Sequence, residues 1–588
     1  MAHDPTPYAT IEAAASPSFS LDGQTLFHLR GAGLQQAWAL DLATGRSRPL
    51  TRHDERVALL RRAPADDRLV HGIDAGGDER QQLWLLDGEP RALTADPAVI
   101  HGFGAWHPDG TRISLTANDR DPAHFDVLLQ DIASGARTRL YQGIHELTLG
   151  PWHKDGSRLI AIESRASADQ RPFILGADGA IHLLPRAGPS RYANLRWDGD
   201  ALLGLTDAGG LDFMALCRLD PATGAAVPVF APEDRDVEAW ALSPDGALLA
   251  TIENDRGYGR LRVGPPGGER PLAQGLPDGV AADPAWSPDS RRLAISASAP
   301  EQPPGLFLWE GGAVRPVWQP ACDLPLAGFR PVEWESFDGT RIPGWLALPS
   351  GPAPAAGHPA VIWVHGGPAN QARPLFRPDM QALLAGGTAV LMPNVRGSTG
   401  YGRASMASDD RERRLDSVHD LAAGRHFLAA QPGIDAGRIT VMGQSYGGYM
   451  VLAAITEHPT LWQAAIDLYG IADFATLLAN TGPWRRAHRS DEYGDPVRHR
   501  ALFDRISPIR HIDRVQVPLL VLHGTRDPRV HISESEQIVG ALRARGRPVH
   551  YEVFDYAGHG FVRPDDKARV YQAVAAFLAS ANPPSPAA

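Results

Sequence analysis

Cysteine is nearly missing: Cys217 and Cys322 are the only two in 588 residues. Two thiols cannot build a disulfide framework and show no metal-ligand spacing, so a stapled secreted scaffold is excluded and a reducing compartment fits. No run of 18 consecutive apolar residues occurs, so no membrane span is expected. The opening Met1-Ala-His-Asp-Pro-Thr-Pro lacks a basic stretch and an apolar core, so it does not read as a secretory signal. Cytoplasmic placement is the expectation. Positive charge is also short, with Lys+Arg 57 against Asp+Glu 68 and a net charge of −11. That balance argues against a nucleic-acid coat or a basic membrane binder. No metal and no cofactor are expected.

The chain is too long for one compact core, so at least two domains are expected. Glycine (60) and proline (51) together make about a fifth of the residues, which means many turns without low complexity. Those turns repeat. Ser18-Phe-Ser-Leu-Asp22-Gly recurs as Ala105-Trp-His-Pro-Asp109-Gly, Pro151-Trp-His-Lys-Asp155-Gly, Leu195-Arg-Trp-Asp198-Gly, Ala241-Leu-Ser-Pro-Asp245-Gly and Ala285-Trp-Ser-Pro-Asp289-Ser. The aspartates lie 87, 46, 43, 47 and 44 residues apart, and Asp66-Asp67 marks the unit hidden in the first gap. Seven units of this length, each with an Asp-Gly-type hairpin signal and a short alternating strand, predict a seven-bladed β-propeller over residues 1–325 with a short N-terminal extension. Trp106, Trp152 and Trp286 share one repeat position, and packing between blades is the expected role.

From about residue 326 to 588 the pattern changes to strand-like apolar runs alternating with helical ones, the signature of an α/β-hydrolase-like parallel sheet. Strands are expected at 360–364, 388–392, 439–442, 464–468, 519–522 and 549–554, and helices at about 415–431, 446–457, 534–545 and 566–580. The most informative stretch is Ile439-Thr-Val-Met-Gly443-Gln-Ser445-Tyr446-Gly447-Gly448: strand, Gly-x-Ser-x-Gly, helix. A tight strand-to-helix turn needs small residues around the serine and presents its hydroxyl at the sheet's carboxyl edge, which makes Ser445 the candidate nucleophile. A serine needs a base, and the base needs an orienting acid. Asp527 follows one strand and His559, between two glycines, follows the next; His523 precedes the acid and is in the wrong order. Backbone N–H donors for an oxyanion are expected at Tyr446 and in Val364-His365-Gly366-Gly367-Pro368.

This organisation resembles the prolyl oligopeptidase family of serine peptidases, its acylaminoacyl peptidases in particular. The resemblance is carried by Phe337-Asp-Gly-Thr-Arg-Ile-Pro-Gly-Trp345, His365-Gly-Gly-Pro368, Asn394-Val-Arg-Gly-Ser-Thr-Gly-Tyr-Gly402, Gly443-Gln-Ser-Tyr-Gly-Gly-Tyr449, His523-Gly-Thr-Arg-Asp-Pro-Arg-Val530 and Gly558-His-Gly560. It implies a Ser445–Asp527–His559 triad, an oxyanion hole from Tyr446 and Gly367, and Arg529 on a substrate carbonyl. It also implies short-peptide substrates admitted past the propeller, and homo-oligomeric association is expected. One segment departs from the family: Trp484-Arg485-Arg486-Ala-His-Arg489, where the specificity pocket is usually shaped. Its arginines read as a solvated surface near Asp491, Glu492 and Asp495, as a site for a substrate's free C-terminal carboxylate, or as a pocket for acidic side chains. The second option makes the enzyme carboxypeptidase-like; the alternatives are removal of N-acylated residues, or an esterase of the same fold.

Overall fold

The computed structural model describes residues 3–581. Five separate four-stranded antiparallel sheets follow one another, with first strands Ala13–Phe19, Val57–Arg62, His101–Trp106, Glu146–Trp152 and Tyr192–Asp198. The first strands of successive sheets pack against one another, forming the inner ring, and the last strand of each is largely exposed. The expectation of seven separate blades is corrected here. Residues 237–318 form one seven-stranded sheet, because Gly259 pairs in parallel with Val280 and joins Val237–Gly264 to Val280–Trp318. The stretch that a sixth blade would use as its outer strand contains Pro265, Pro266, Pro271 and Pro277, which lack ladder donors. It makes only isolated bridges, Arg262 to Leu272 and Gln274 to Ala313.

The repeated turn explains itself atom by atom. The Ser243 hydroxyl donates to Asp245 (2.6 Å), as does the Ala247 amide (3.0 Å), and Gly246 takes φ 74°, a region glycine enters without cost. The tryptophans bind blade to blade: Trp106 and Trp286 donate their indole N–H to Arg61 O (3.2 Å) and Ala241 O (2.9 Å) of the preceding units. Trp197 and Trp240, outside the repeat position recognised in the sequence, do the same with Pro151 O and Asn194 O.

The second half is built on an eight-stranded sheet. In spatial order its strands are Arg330–Glu335, Arg341–Ala347, Ala389–Pro393, His358–Val364, Ile434–Gln444, Ala464–Leu468, Leu519–Gly524 and Val549–Phe554. The first two are antiparallel additions absent from the sequence expectation, and pairing is parallel from Ala389–Pro393 onward. Val361, Ile362, Val441, Ile466 and Val521 are fully buried, as strands covered on both faces require. Helices Arg414–Ala429 and Tyr446–Glu457 cover one face and Pro564–Ala581 the other. The 3-10 helix Thr6–Thr10 packs against Pro564–Ala581 and Pro378–Ala385, and Tyr8 donates its hydroxyl to Pro325 O (2.8 Å). Ion pairs tie the two halves together: Arg373 with Glu238 (2.9 Å), Arg563 with Glu55 (3.0 Å), and Arg529 with Glu79. No helix among the described residues is long and apolar enough to cross a membrane.

Candidate active site

Ser445 sits between strand Ile434–Gln444 and helix Tyr446–Glu457 at φ 59° and ψ −122°, a strained backbone for a non-glycine residue. The elbow closes this tightly only because its flanks are bare. A Cβ on Gly443 would lie 2.3 Å from Gly447 O, and one on Gly447 would lie 2.2 Å from Val364 O. The turn throws the Ser445 hydroxyl toward His559, whose Nε2 lies 2.9 Å away, while Nδ1 lies 2.7 Å from Asp527 Oδ2. An ionised carboxylate only accepts, so Nδ1 carries the proton and Nε2 is the acceptor for the serine. The loop after strand Leu519–Gly524 thus presents the acid, and the loop after Val549–Phe554 presents the base.

Asp527 Oδ1 accepts from the amides of Arg529 (2.8 Å) and Val530 (3.0 Å). Burial opposes its ionisation, but His559 and His523 beside it hold the carboxyl well below the usual range. His523 is fully buried, with Nδ1 2.6 Å from Ser535 Oγ and Nε2 2.9 Å from Val530 O. It packs behind the acid, far from the serine's reach. Tyr469 lays its ring 4.9 Å from the His559 ring and donates its hydroxyl to Gln444 Oε1 (3.2 Å). The sequence offered no motif for that support.

The Gly366-Gly367 turn passes directly over the elbow: a Cβ on Gly366 would lie 3.2 Å from Ser445 Cβ. Buried His365 pins this turn, with Nε2 3.0 Å from Ser398 Oγ, and burial drops its pKa to about 4. Tyr446 is anchored from behind. Its hydroxyl donates to Asp409 (2.9 Å) and accepts from Arg414 (3.0 Å), and Arg414 also donates to Glu492 O (3.1 Å). Asp409 and Arg414 lie 32 or more residues before Tyr446, so only the fold brings them together.

A cavity of about 70 Å³ opens beside the serine, walled by Ser445, Gly367, Leu477, Arg485, Arg489 and Arg529. The helix Pro483–Tyr493 places Arg485 and Arg489 on one face, toward this cavity. Arg486 points elsewhere: it is exposed and donates to Ala479 O (2.9 Å). Trp484 also leaves the cavity and packs on the propeller cluster around Phe125 and Leu147. Their expected substrate contacts are therefore corrected, since adjacent helical residues project about 100° apart. Arg489 pairs with Glu492 (2.7 Å) and Arg529 with Glu79 of the propeller, a partner 450 residues away that no sequence signal identifies. The Arg485 guanidinium has neither an ion-pair nor a hydrogen-bond partner among the described residues; its backbone amide donates to Gly482 O (2.9 Å). Burial, with Arg489 and Arg529 nearby, pulls its pKa down to about 10.

A strand–serine–helix elbow under a propeller, with histidine and aspartate in line, defines a serine hydrolase of the α/β type. Residues 374–582 match the sequence profile described as the prolyl oligopeptidase family. The dipeptidyl aminopeptidase BIII of Pseudoxanthomonas mexicana is 29% identical over 546 residues, covering 87% of this chain and 78% of that one. An acylamino-acid-releasing enzyme of Arabidopsis thaliana is 34% identical over 218 residues, 35% of this chain but only 28% of that one. A solved puromycin hydrolase has the same fold, with TM-score 0.87 and 20% identity over 98% of this chain and 96% of that one. The catalytic half thus carries the prolyl oligopeptidase profile over residues 374–582, and the chain is a serine peptidase.

Proposed function

We propose that this peptidase hydrolyses short peptides through a Ser445–His559–Asp527 triad and an acyl-enzyme. The observation that carries the reading is the unbroken hydrogen-bonded series at the elbow, 2.9 Å from serine to histidine and 2.7 Å from histidine to aspartate. Ser445 Oγ bonds to the scissile carbonyl carbon as His559 Nε2 takes the hydroxyl proton. The oxyanion is held by the amides of Tyr446 and Gly367. His559 then gives its proton to the departing amine, and water, activated by the same histidine, hydrolyses the ester left on Ser445. Asp527 keeps the imidazole in the required tautomer and offsets its charge.

In this reading residues 1–325 form the gate and 326–588 the catalytic domain, with the Thr6–Thr10 helix riding on the latter. The seven-stranded sheet, its two parts joined at Gly259 and Val280, completes the ring with the five separate sheets. The narrow ring limits substrates to peptides that thread it or pass between the halves.

Two measurements test the proposal. A fluorophosphonate should label Ser445 alone, located by mass spectrometry, and labelled enzyme should no longer cleave peptides. Matched free, N-acetylated and C-amidated peptides, run beside simple p-nitrophenyl esters, should show peptide turnover and report the end that is read. Labelling elsewhere, or turnover of esters only, would remove the peptidase triad.

A further inference from the structure

The cavity beside Ser445 holds one more positive charge than its surroundings balance. Three guanidinium groups line it, and two carboxylates answer them: Glu492 pairs with Arg489, and Glu79 pairs with Arg529. Arg485 is the surplus. Glu79, already paired with Arg529, and Glu146, on the exposed propeller rim, lie within Coulombic reach but form no ion pair with it. Pro483–Tyr493 holds Arg485 half-buried against two like charges, an arrangement that costs stability until an anion arrives. The remaining wall mixes the apolar Ile471, Leu477 and Val530 with Thr481 and Tyr493. That combination suits methylene groups leading to a carboxylate.

The position of the cavity decides which carboxylate. Its wall includes Ser445 and Gly367 but not His559. His559 must protonate the departing amine, so the leaving-group residue, with any free C-terminal carboxylate, lies on the histidine side. A cavity on the oxyanion side belongs to the residue whose carbonyl is attacked. We propose, resting on the assignment of Ser445 as nucleophile, that Arg485 makes this cavity a specificity pocket for an aspartate or glutamate side chain on the acyl side of the scissile bond. Arg489 assists from one helical turn away, held by Glu492 and 3.5 Å from Gly367 O.

Two propeller arginines carry the same sign. Arg61 and Arg196 project from the inner strands Val57–Arg62 and Tyr192–Asp198, exposed to solvent yet enclosed enough that burial lowers both pKa values. Arg196 also lowers that of Arg61, so the two lie within Coulombic reach across the ring. Of the acids, only Asp283 bears on Arg61, and it already accepts from Ser16 N (3.0 Å) and the Ser296 hydroxyl (2.8 Å). A protein of net charge −11 thus keeps Arg61 and Arg196 close together on its inner strands and three arginines at its nucleophile, which favours acidic peptides.

The test uses the full chain and N-acetyl-Ala-Ala-X-p-nitroanilides, whose leaving group has no carboxylate. With X as Glu or Asp, kcat/KM should exceed that for Gln or Asn by about 10–100-fold, as a charge-assisted contact provides. Arg485→Gln should reduce that ratio to about threefold or less, and Arg485→Lys should restore part of it. Both variants should still take the fluorophosphonate at Ser445, which reports a folded, competent elbow. Losing a repelled guanidinium, Arg485→Gln should also melt no lower than wild type. Equal rates for Glu and Gln in unlabelled wild type, a separate sample of which takes the label at Ser445, or an undiminished Glu preference in Arg485→Gln, would overturn the pocket assignment alone. So would a preference that appears only in Ala-Ala-X-Ala peptides with a free rather than amidated C-terminus, because it would move the carboxylate to the leaving-group side. Wild type that takes no label at Ser445 would overturn the nucleophile, and this proposal with it.

Discussion

The repeat aspartates of the propeller and the carboxyls around the elbow are held in opposite ways. Asp22, Asp41 and Asp245 of the propeller sit in exposed turns, where neighbouring hydroxyls and amides favour ionisation. They shape hairpins and touch nothing that reacts. Around the elbow, Asp409, Asp467 and Glu534 are buried, and burial pushes each up to about 7. Asp467 is the extreme case: neither oxygen meets a hydrogen-bond partner among the described residues. The repeat aspartates build a scaffold from local bonds, whereas Asp409, Asp467 and Glu534 sit where ionisation costs stability. Desolvated ionisable groups gather where the chemistry is done.

Three perturbations bear on that contrast. Ser445→Ala should lower kcat by about 10⁴–10⁶-fold with the melting temperature essentially unchanged. A loss of less than tenfold would place the nucleophile elsewhere. Asp467 gives an intermediate effect, read in stability. A carboxyl kept protonated in the fold but free to ionise when unfolded binds more protons in the native state. Stability should therefore fall as pH rises from about 4 to about 7, at up to roughly 1.4 kcal/mol per unit. Denaturant melts of Asp467→Asn should show this slope reduced, whatever the variant's absolute stability; an identical pH profile would mean Asp467 is ionised in the fold. The smallest effect belongs to the propeller turn. Asp245→Ala should leave kcat within about twofold of wild type, as surface changes do. A larger loss in steady-state assays would mean that the scaffold turns tune the site after all.

Local features were legible in the sequence, and distant ones were not. The Asp-Gly period, the elbow glycines, and an acid and a histidine placed after successive strands are short-range patterns, and the structure brings Ser445, His559 and Asp527 together. The merged seven-stranded sheet depends on one bridge at Gly259, and the proline-rich stretch beside it gave the only hint. Glu79 beneath Arg529 and Asp409 behind Tyr446 come from contacts across the fold, which periodicity cannot report. The arginine cluster fell between these cases. Helical spacing put Arg485 and Arg489 on one face, but only the packing of Pro483–Tyr493 shows that this face meets the serine while Arg486 and Trp484 turn away.

The helix Thr6–Thr10 also sets a schedule for synthesis. Its partner Pro564–Ala581 emerges from the ribosome more than 550 residues after it. At about 5–20 residues per second, that is a wait of roughly half a minute to two minutes. All five separate propeller sheets are complete within their own stretches and can close meanwhile. The docking of Tyr8 and Thr6 is then among the last events of maturation, and a nascent chain caught before it leaves the part of Pro564–Ala581 that Thr6–Thr10 covers open to any passing chaperone.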